Sequence, residues 1–229
     1  MNIVGNFYQS VIYDGRWKFI LEGLKNTCLI ALGAVILGVI IGSIIALIRN
    51  YHDHHNNKLK VLNFLAKAYT DIIRGTPSTL QLMIIYYIIF GSVDVNIVIV
   101  GVLAFGINSG AYVAEIIRAG VNSIDKGQME AGYALGLSYK QIIFSIIFPQ
   151  AIKNVLPALG NEFITLVKET SIGAYIGIVE LTKASDIIAS RTYDYFFPLI
   201  LIALIYLTIT FILTKLISRM EVRLNHARS

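Results

Sequence analysis

Two acidic residues seven positions apart, Glu162 and Glu169, run beside a second pair at the same spacing, Asn161 and Lys168. Seven residues make about two helical turns, so each pair shares a helix face. Together the four offer an anionic partner for an ammonium group and a cationic or amide partner for a carboxylate. Asn108 and Glu115 repeat the spacing upstream, and before them Lys67, Asp71, Arg74, Ser78 and Gln81 follow a helical progression. Asp71 and Arg74 stand at i, i+3, where they can pair. No nucleophile comes with a base, and the chain holds no G-x-x-x-x-G-K-[ST] phosphate loop, so no catalytic residue is assigned. His52, His54 and His55 cluster without any other ligand type, which reads as a solvated loop and assigns no metal. The chemistry on offer is the holding of charged groups.

The segments that carry these residues are strongly apolar. Of 229 residues 56% are hydrophobic and 14% charged, against about 25% charged in an average soluble domain. The apolar residues fall into five blocks, at about 19–48, 64–90, 97–117, 155–179 and 196–217. Each is long enough to cross about 30 Å of hydrocarbon at about 1.5 Å per residue. Strand alternation is absent, so the blocks read as helices. The expected fold is an all-α integral membrane protein, residues 1–229 forming a single transmembrane domain with a loop at 118–153. "NFYQSVIYDGRWKF", with Trp17, reads as an interfacial lead-in, and the lone Cys28, inside the first block, as a small buried hydrophobe.

Charge sets the expected orientation. Arg49, Lys58, Lys60, Arg118, Lys126, Lys140, Lys153, Arg219, Arg223 and Arg228 fall on one side, and Arg16, Lys18, Lys183 and Arg191 on the other. Ten against four puts the 118–153 loop and the C-terminus in the cytoplasm and the N-terminus outside. The net charge of +5 then reflects topology and anionic lipid, with no nucleic-acid footprint.

Charges inside spans are costly, about 2.5–3.5 kcal/mol each at a helix centre on insertion scales, so they face protein or water. For Asp71, Asn108, Glu115, Asn161, Glu162, Lys168 and Glu169 two readings stay open: a line of groups along a solute path, or structural pairs between packed helices, Lys168 with Glu169 among them. Thr76-Pro77 is expected to kink the second span and free a backbone carbonyl. Gly101, Gly106 and Gly110 are expected to let the third pack closely. "LVKETSIGAYIG" holds enough Gly and Ser to break the fourth.

The 118–153 loop is patterned. "QMEAGYALG" reads as a short helix stopped at Gly136; Ser138 is placed to cap a second helix, which Pro149 closes. An amphipathic hairpin lying on lipid would also fit. Glu130-Ala131-Gly132, three residues, Gly136, nine residues, Ile146, one residue and Phe148-Pro149 resemble the EAA loop of ABC importer permeases, with Gly132 in place of the third alanine and Phe148 in place of leucine. "IIRGTPSTLQL", "INSGAYVAEIIRAG", "PQAIKNVLPALGNEFI" and "KETSIGAYIG" are similar to the polar amino-acid uptake branch of that family, the histidine, glutamine and arginine type.

The resemblance implies an ABC type I importer permease in a bacterial plasma membrane, whose loop carries a coupling helix. Glu130, Ala131, Gly132 and Gly136 would couple it to a cytoplasmic ATP-binding subunit dimer. It also implies a second permease chain, identical or similar, an extracytoplasmic solute-binding protein and a polar amino-acid substrate. A zwitterionic amino acid needs the two kinds of partner that 161–169 supplies. ATP and Mg would belong to the partner ATPase, with no cofactor in this chain. The alternative is a stand-alone secondary transporter or channel-like protein, against which the missing inverted repeat argues.

Overall fold

The computed structural model describes residues 3–54 and 58–226. His55 and Arg228 lie outside the described residues. After a short N-terminal helix, α1 (Ile3–Phe7), come α2 (Trp17–His54), α3 (Lys60–Gly75) and α4 (Ser78–Ile84). Then follow α5 (Ile97–Asn122), α6 (Lys126–Ala134), α7 (Tyr139–Ile142), α8 (Phe148–Glu169), α9 (Leu181–Thr192) and α10 (Phe196–His226). No strand occurs among the described residues. Among the described residues, four helical runs are long and apolar enough to cross a membrane: Trp17–Asp53, Ile97–Asn122, Tyr139–Ile176 and Phe196–Leu224. The segments Lys60–Gly75 and Ser78–Ile89 pass the same test only together, bent by 109° at the break between them.

The bent pair is nonetheless one crossing, as the packing of α2 on α5 requires. Gly33 lies against Val102, Leu37 against Gly106, Gly38 against Ser109 and Gly42 against Val113. Both numbers rise together, so the two helices run parallel. A chain that leaves α2 at one end and enters α5 at the other must return between them, and α3–α4 is that return. The contact is reciprocal: Gly38 and Gly42 on α2 meet bulk from α5, while Gly106 and Gly110 on α5 meet Leu37 and Ile41. A Cβ on Gly42 would stand 2.6 Å from the Cβ of Val113, so only glycine allows this approach.

The expected kink at Thr76-Pro77 is a full break. Pro77 supplies no N–H, and Thr76 before it is extended at φ −124°, ψ 150°. The freed carbonyls are satisfied by Gln81, whose amide donates to Ile73 O at 2.7 Å and Thr76 O at 3.1 Å. The fourth span begins earlier than expected. Pro149 does not close a helix: a wide π turn over Ile143–Ile147 leads directly into α8, where Pro149 occupies the first turn, whose N–H groups need no helical partner. As expected, α8 is broken at its far end, giving way to a 3₁₀ segment over Thr170–Ile176 that stops at Gly177, φ +89°. The sequence reading did not foresee α9.

Two apolar clusters hold the bundle. One joins Ile30, Leu82, Phe105, Leu166 and Ile178, and so binds α2, α4, α5, α8 and the turn after it. The other joins Ile20, Leu181, Ile188 and Ile202, and ties α9 and α10 to the start of α2. Cys28 is exposed on α2, contrary to the buried role expected for it, because the buried face of that turn is taken by Thr27 and Ile30. Trp17 is half-exposed at the start of α2.

Candidate functional site

The residues singled out for their chemistry fall into three groups, set along the bundle from one end to the other. At the end where α2 and α5 terminate, Glu115 sits between three arginines from three helices. Arg49 of α2 donates to its Oε1, Arg118 donates to Oε2 through Nε at 3.2 Å and Nη2 at 2.9 Å, and Arg74 of α3 stands 3.8 Å away. Arg74 also lies over the ring of Tyr112, 5.6 Å from its centroid. The expected Asp71–Arg74 pair does not form. Arg74 faces α5, where Glu115 and Tyr112 compete for it, and Asp71 is exposed. Arg49, partly buried near the end of α2, gave no periodic signal in the sequence because its partner is 66 residues away.

In the middle of the bundle a polar seam crosses from α4 to α5 to α8. Asn108 Nδ2 donates to Gln81 Oε1 at 2.8 Å, and its neighbour Ser109 donates to Glu162 Oε1 at 2.8 Å. Asn108 and Ser109 are both buried, because the small residues around them bring α5 tight against α2. Tyr69 of α3 donates to the Ile107 carbonyl at 2.5 Å and fixes α3 to the same level. The sequence reading named Asn108, Gln81 and Glu162. It missed Ser109, whose position one residue after Asn108 in the Gly106–Gly110 stretch was the available signal.

Further along α8 the remaining four-residue set is only partly assembled. Asn161 and Lys168 share an exposed face, while Glu162 and Glu169 are half-buried. Lys168 and Glu169 form no ion pair with each other, since adjacent residues on a helix point about 100° apart. Glu162, held by Ser109, is the one member fixed by a hydrogen bond to another helix.

The 118–153 segment is a helix–turn–helix. Asp125 caps α6, accepting from Gly127 N at 2.6 Å. The helix ends in a double reverse bond, Leu137 N to Gly132 O at 3.0 Å and Gly136 N to Tyr133 O at 2.9 Å, with Gly136 at φ +77°. Ser138 then caps α7 in a reciprocal box with Gln141. Glu130, Ala131 and Gly136 are exposed, as are Tyr133 and, at 79%, Leu135. Gly132 faces inward: a Cβ there would come within 2.7 Å of Ile142, so its small size lets α6 lie on α7. A cavity of about 560 Å³ opens beside this surface, lined by Val121, Asp125, Lys126, Met129, Glu130 and Tyr133.

At the opposite end of the bundle Glu180 is fully buried at the start of α9. Its carboxylate accepts from Thr182 N at 2.8 Å, Lys183 N at 2.6 Å and the Tyr206 hydroxyl at 3.0 Å. Burial pushes the carboxyl above its ordinary range, and these hydrogen bonds only partly offset that. The turn leading to it is held by α2, where Asn26 Nδ2 donates to Val179 O at 2.8 Å and Gly23 lets the Glu180 backbone approach. His52, at the end of α2, has Nδ1 2.8 Å from the Lys58 carbonyl.

The profile of the family described as "Binding-protein-dependent transport system inner membrane component" matches residues 29–226. The chain is 43% identical over 216 residues to the putative glutamine transport system permease protein GlnP of Rickettsia typhi, covering 93% of this chain and 91% of that protein. It is 41% identical over 201 residues to the arginine transport system permease protein ArtQ of Bacillus subtilis, covering 86% and 88%. It also superposes on the crystal structure of an amino acid ABC transporter with histidines, with a TM-score of 0.82 at 43% identity, covering 90% of this chain and 94% of that one. The chain belongs to the binding-protein-dependent transport system inner membrane components, the membrane-spanning permeases of ABC importers.

Proposed function

We propose that this permease carries polar amino acids into a bacterial cell, powered by a dimer of cytoplasmic ATP-binding subunits that engage the α6–α7 turn. The observation that supports the coupling role is the turn itself. It is rigidly capped at both ends, has no catalytic set of its own, and presents Tyr133 and Leu135 to solvent. Exposed apolar side chains flanked by an acid, Glu130, form a surface suited to a protein partner. ATP and Mg would be held by that partner. A second permease chain and an extracytoplasmic solute-binding protein complete the assembly, and the Lys/Arg bias orients the N-terminus outside and the C-terminus inside.

The relatives of Rickettsia and Bacillus are named for glutamine and arginine, which supports an amino-acid cargo. Within the bundle, Glu162 is the best placed acceptor for the solute's ammonium group. It is half-buried, set at the α8 end of the mid-bundle polar seam, and already hydrogen-bonded on one oxygen. Asn161 and Lys168 on the adjoining exposed face would take the carboxylate, with Glu169 as a second anion. Glu115 is better suited to joining helices, since three arginines already occupy it, and Asn108 to positioning Gln81. Asp71 is exposed and forms no hydrogen bond or ion pair with either.

The test is ATP-driven uptake of labelled glutamine and arginine by the permease reconstituted with its ATP-binding and solute-binding proteins. Saturable uptake that needs ATP is expected, with Glu162→Gln lowering it while the complex stays assembled. Uptake that persists without the ATP-binding subunit would end the proposal.

A further inference from the structure

Near Glu180 a second cavity, of about 450 Å³, opens between the 3₁₀ segment 170–176, α9 and the start of α10. It lies at the far end of the bundle from the α6–α7 turn, because α9 follows the end of α8 opposite to the one that turn precedes. Its lining includes Tyr175, Thr182, Lys183, Ser185, Asp186 and Tyr195. Two features set this lining apart. Lys183 Nζ and Asp186 Oδ2 form an ion pair at 2.7 Å, one turn apart on α9, with 32% and 51% of their side chains exposed. Ser185 is fully buried, and its hydroxyl has no hydrogen-bond partner. Its neighbours on the same helix are satisfied: Ser190 donates to the Ile187 carbonyl at 2.8 Å and Thr192 to the Ile188 carbonyl at 3.0 Å.

An exposed ion pair contributes little to stability, so opening it costs little. A buried hydroxyl without a partner is penalised, and a polar group that reached it would relieve that. A molecule bearing both a carboxylate and an ammonium group can replace each half of the pair by its own opposite charge. The volume falls within the range of about 300–1,000 Å³ typical of small-molecule sites. Tyr175 and Tyr195, 67% and 57% exposed, flank it with aromatic surface that also favours a cation.

We infer that this cavity is a docking site for a zwitterionic amino acid at the end of the bundle remote from the coupling turn, with Lys183 taking the carboxylate, Asp186 the ammonium and Ser185 a further polar contact. The inference rests on the amino-acid reading proposed above and adds a site that solute meets before the mid-bundle seam.

The test is equilibrium binding of radiolabelled L-glutamine and L-arginine to the full-length chain in lipid nanodiscs, with no solute-binding protein present. Saturable binding is expected. Lys183→Gln and Asp186→Asn are each expected to weaken it about tenfold, the equivalent of one charge-assisted contact. Lys183→Arg keeps the charge and is expected to retain binding, which separates loss of contact from loss of fold. The amino-acid amide and the decarboxylated amine, each lacking one of the two recognised groups, are expected not to compete. Binding unaffected in Lys183→Gln and Asp186→Asn would overturn the site. So would efficient cross-linking of Tyr175→Cys between two copies, which would show the cavity filled by a second chain. If the reconstituted transporter still takes up amino acids in either event, only this site fails; if wild type takes up none, the parent reading fails with it.

Discussion

Gln81 and Asn108 are joined side chain to side chain at 2.8 Å, and through that bond the broken end of α3 is tied to α5. Gln81 uses its amide nitrogen on the carbonyls that Pro77 leaves without partners and its oxygen on Asn108. Replacing it by leucine keeps the bulk and strands both sides. Gln81→Leu is expected to cost about 1–3 kcal/mol, read from the denaturation midpoint of the purified permease. An unchanged midpoint would mean that water replaces the amide at the break.

Glu115 balances Arg49 where both are largely buried, while Arg74 and Arg118 are partly solvated and less dependent on it. Glu115→Gln is expected to destabilise by about 3 kcal/mol, mostly by leaving Arg49 uncompensated. Removing both charges, Arg49→Met with Glu115→Gln, is expected to recover much of that loss. A double variant no better than the single one would show that Arg74 and Arg118 matter equally.

Gly136 has φ +77° and nothing within 4 Å of where a Cβ would stand, so the cost of a side chain there is backbone strain alone. Gly136→Val is expected to cost about 1–3 kcal/mol and to lower uptake and solute-stimulated ATP hydrolysis while the chain still inserts. Gly136→Asn, which tolerates the left-handed region, is expected to do less harm. Equal transport by the valine variant would remove the turn from the coupling path.

Glu180 gives a pH dependence with a definite sign. Its folded pKa is raised by burial, so the stability it contributes is fully present below the unfolded value of about 4.3 and is lost as pH rises through the folded one. The melting temperature of wild type relative to Glu180→Gln is therefore expected to fall as pH is raised from 4 toward neutrality. A flat difference would show that the three hydrogen bonds cancel the burial.

Orientation can be read by thiol labelling. With the exposed Cys28 replaced by alanine, a cysteine at Asp125 is expected to react with an impermeant reagent only in inverted vesicles. One at Tyr193, 94% exposed in the α9–α10 connection, is expected to react only from the other side. Labelling of both from one side would contradict five crossings.

The five apolar blocks, the capped turn and the glycine faces of α5 were legible because they are local: hydrophobic run length, a cap at Ser138, a stop at Gly136. What escaped was set by distant partners. Pro149 was read as a terminator because a π turn that admits it has no sequence signature. Asp71 and Arg74 satisfied a helical pairing rule, yet Glu115 on another helix engages the arginine. Glu180 carried no signal in the sequence, since its burial depends on the approach of distant residues such as Gly23 and Tyr206.

The parallel seam between α2 and α5 has a mechanical meaning. Interlocked glycines and bulky side chains allow neither helix to slide or rotate past the other without collision, so the two behave as one stiff strut. Any cycle of opening and closing must then be concentrated in the joints around that strut: the open bend at Pro77, the wide turn at Ile143–Ile147 and the tight one before Gly177. Those three places, rather than the long helices, are where a change of shape has room to begin.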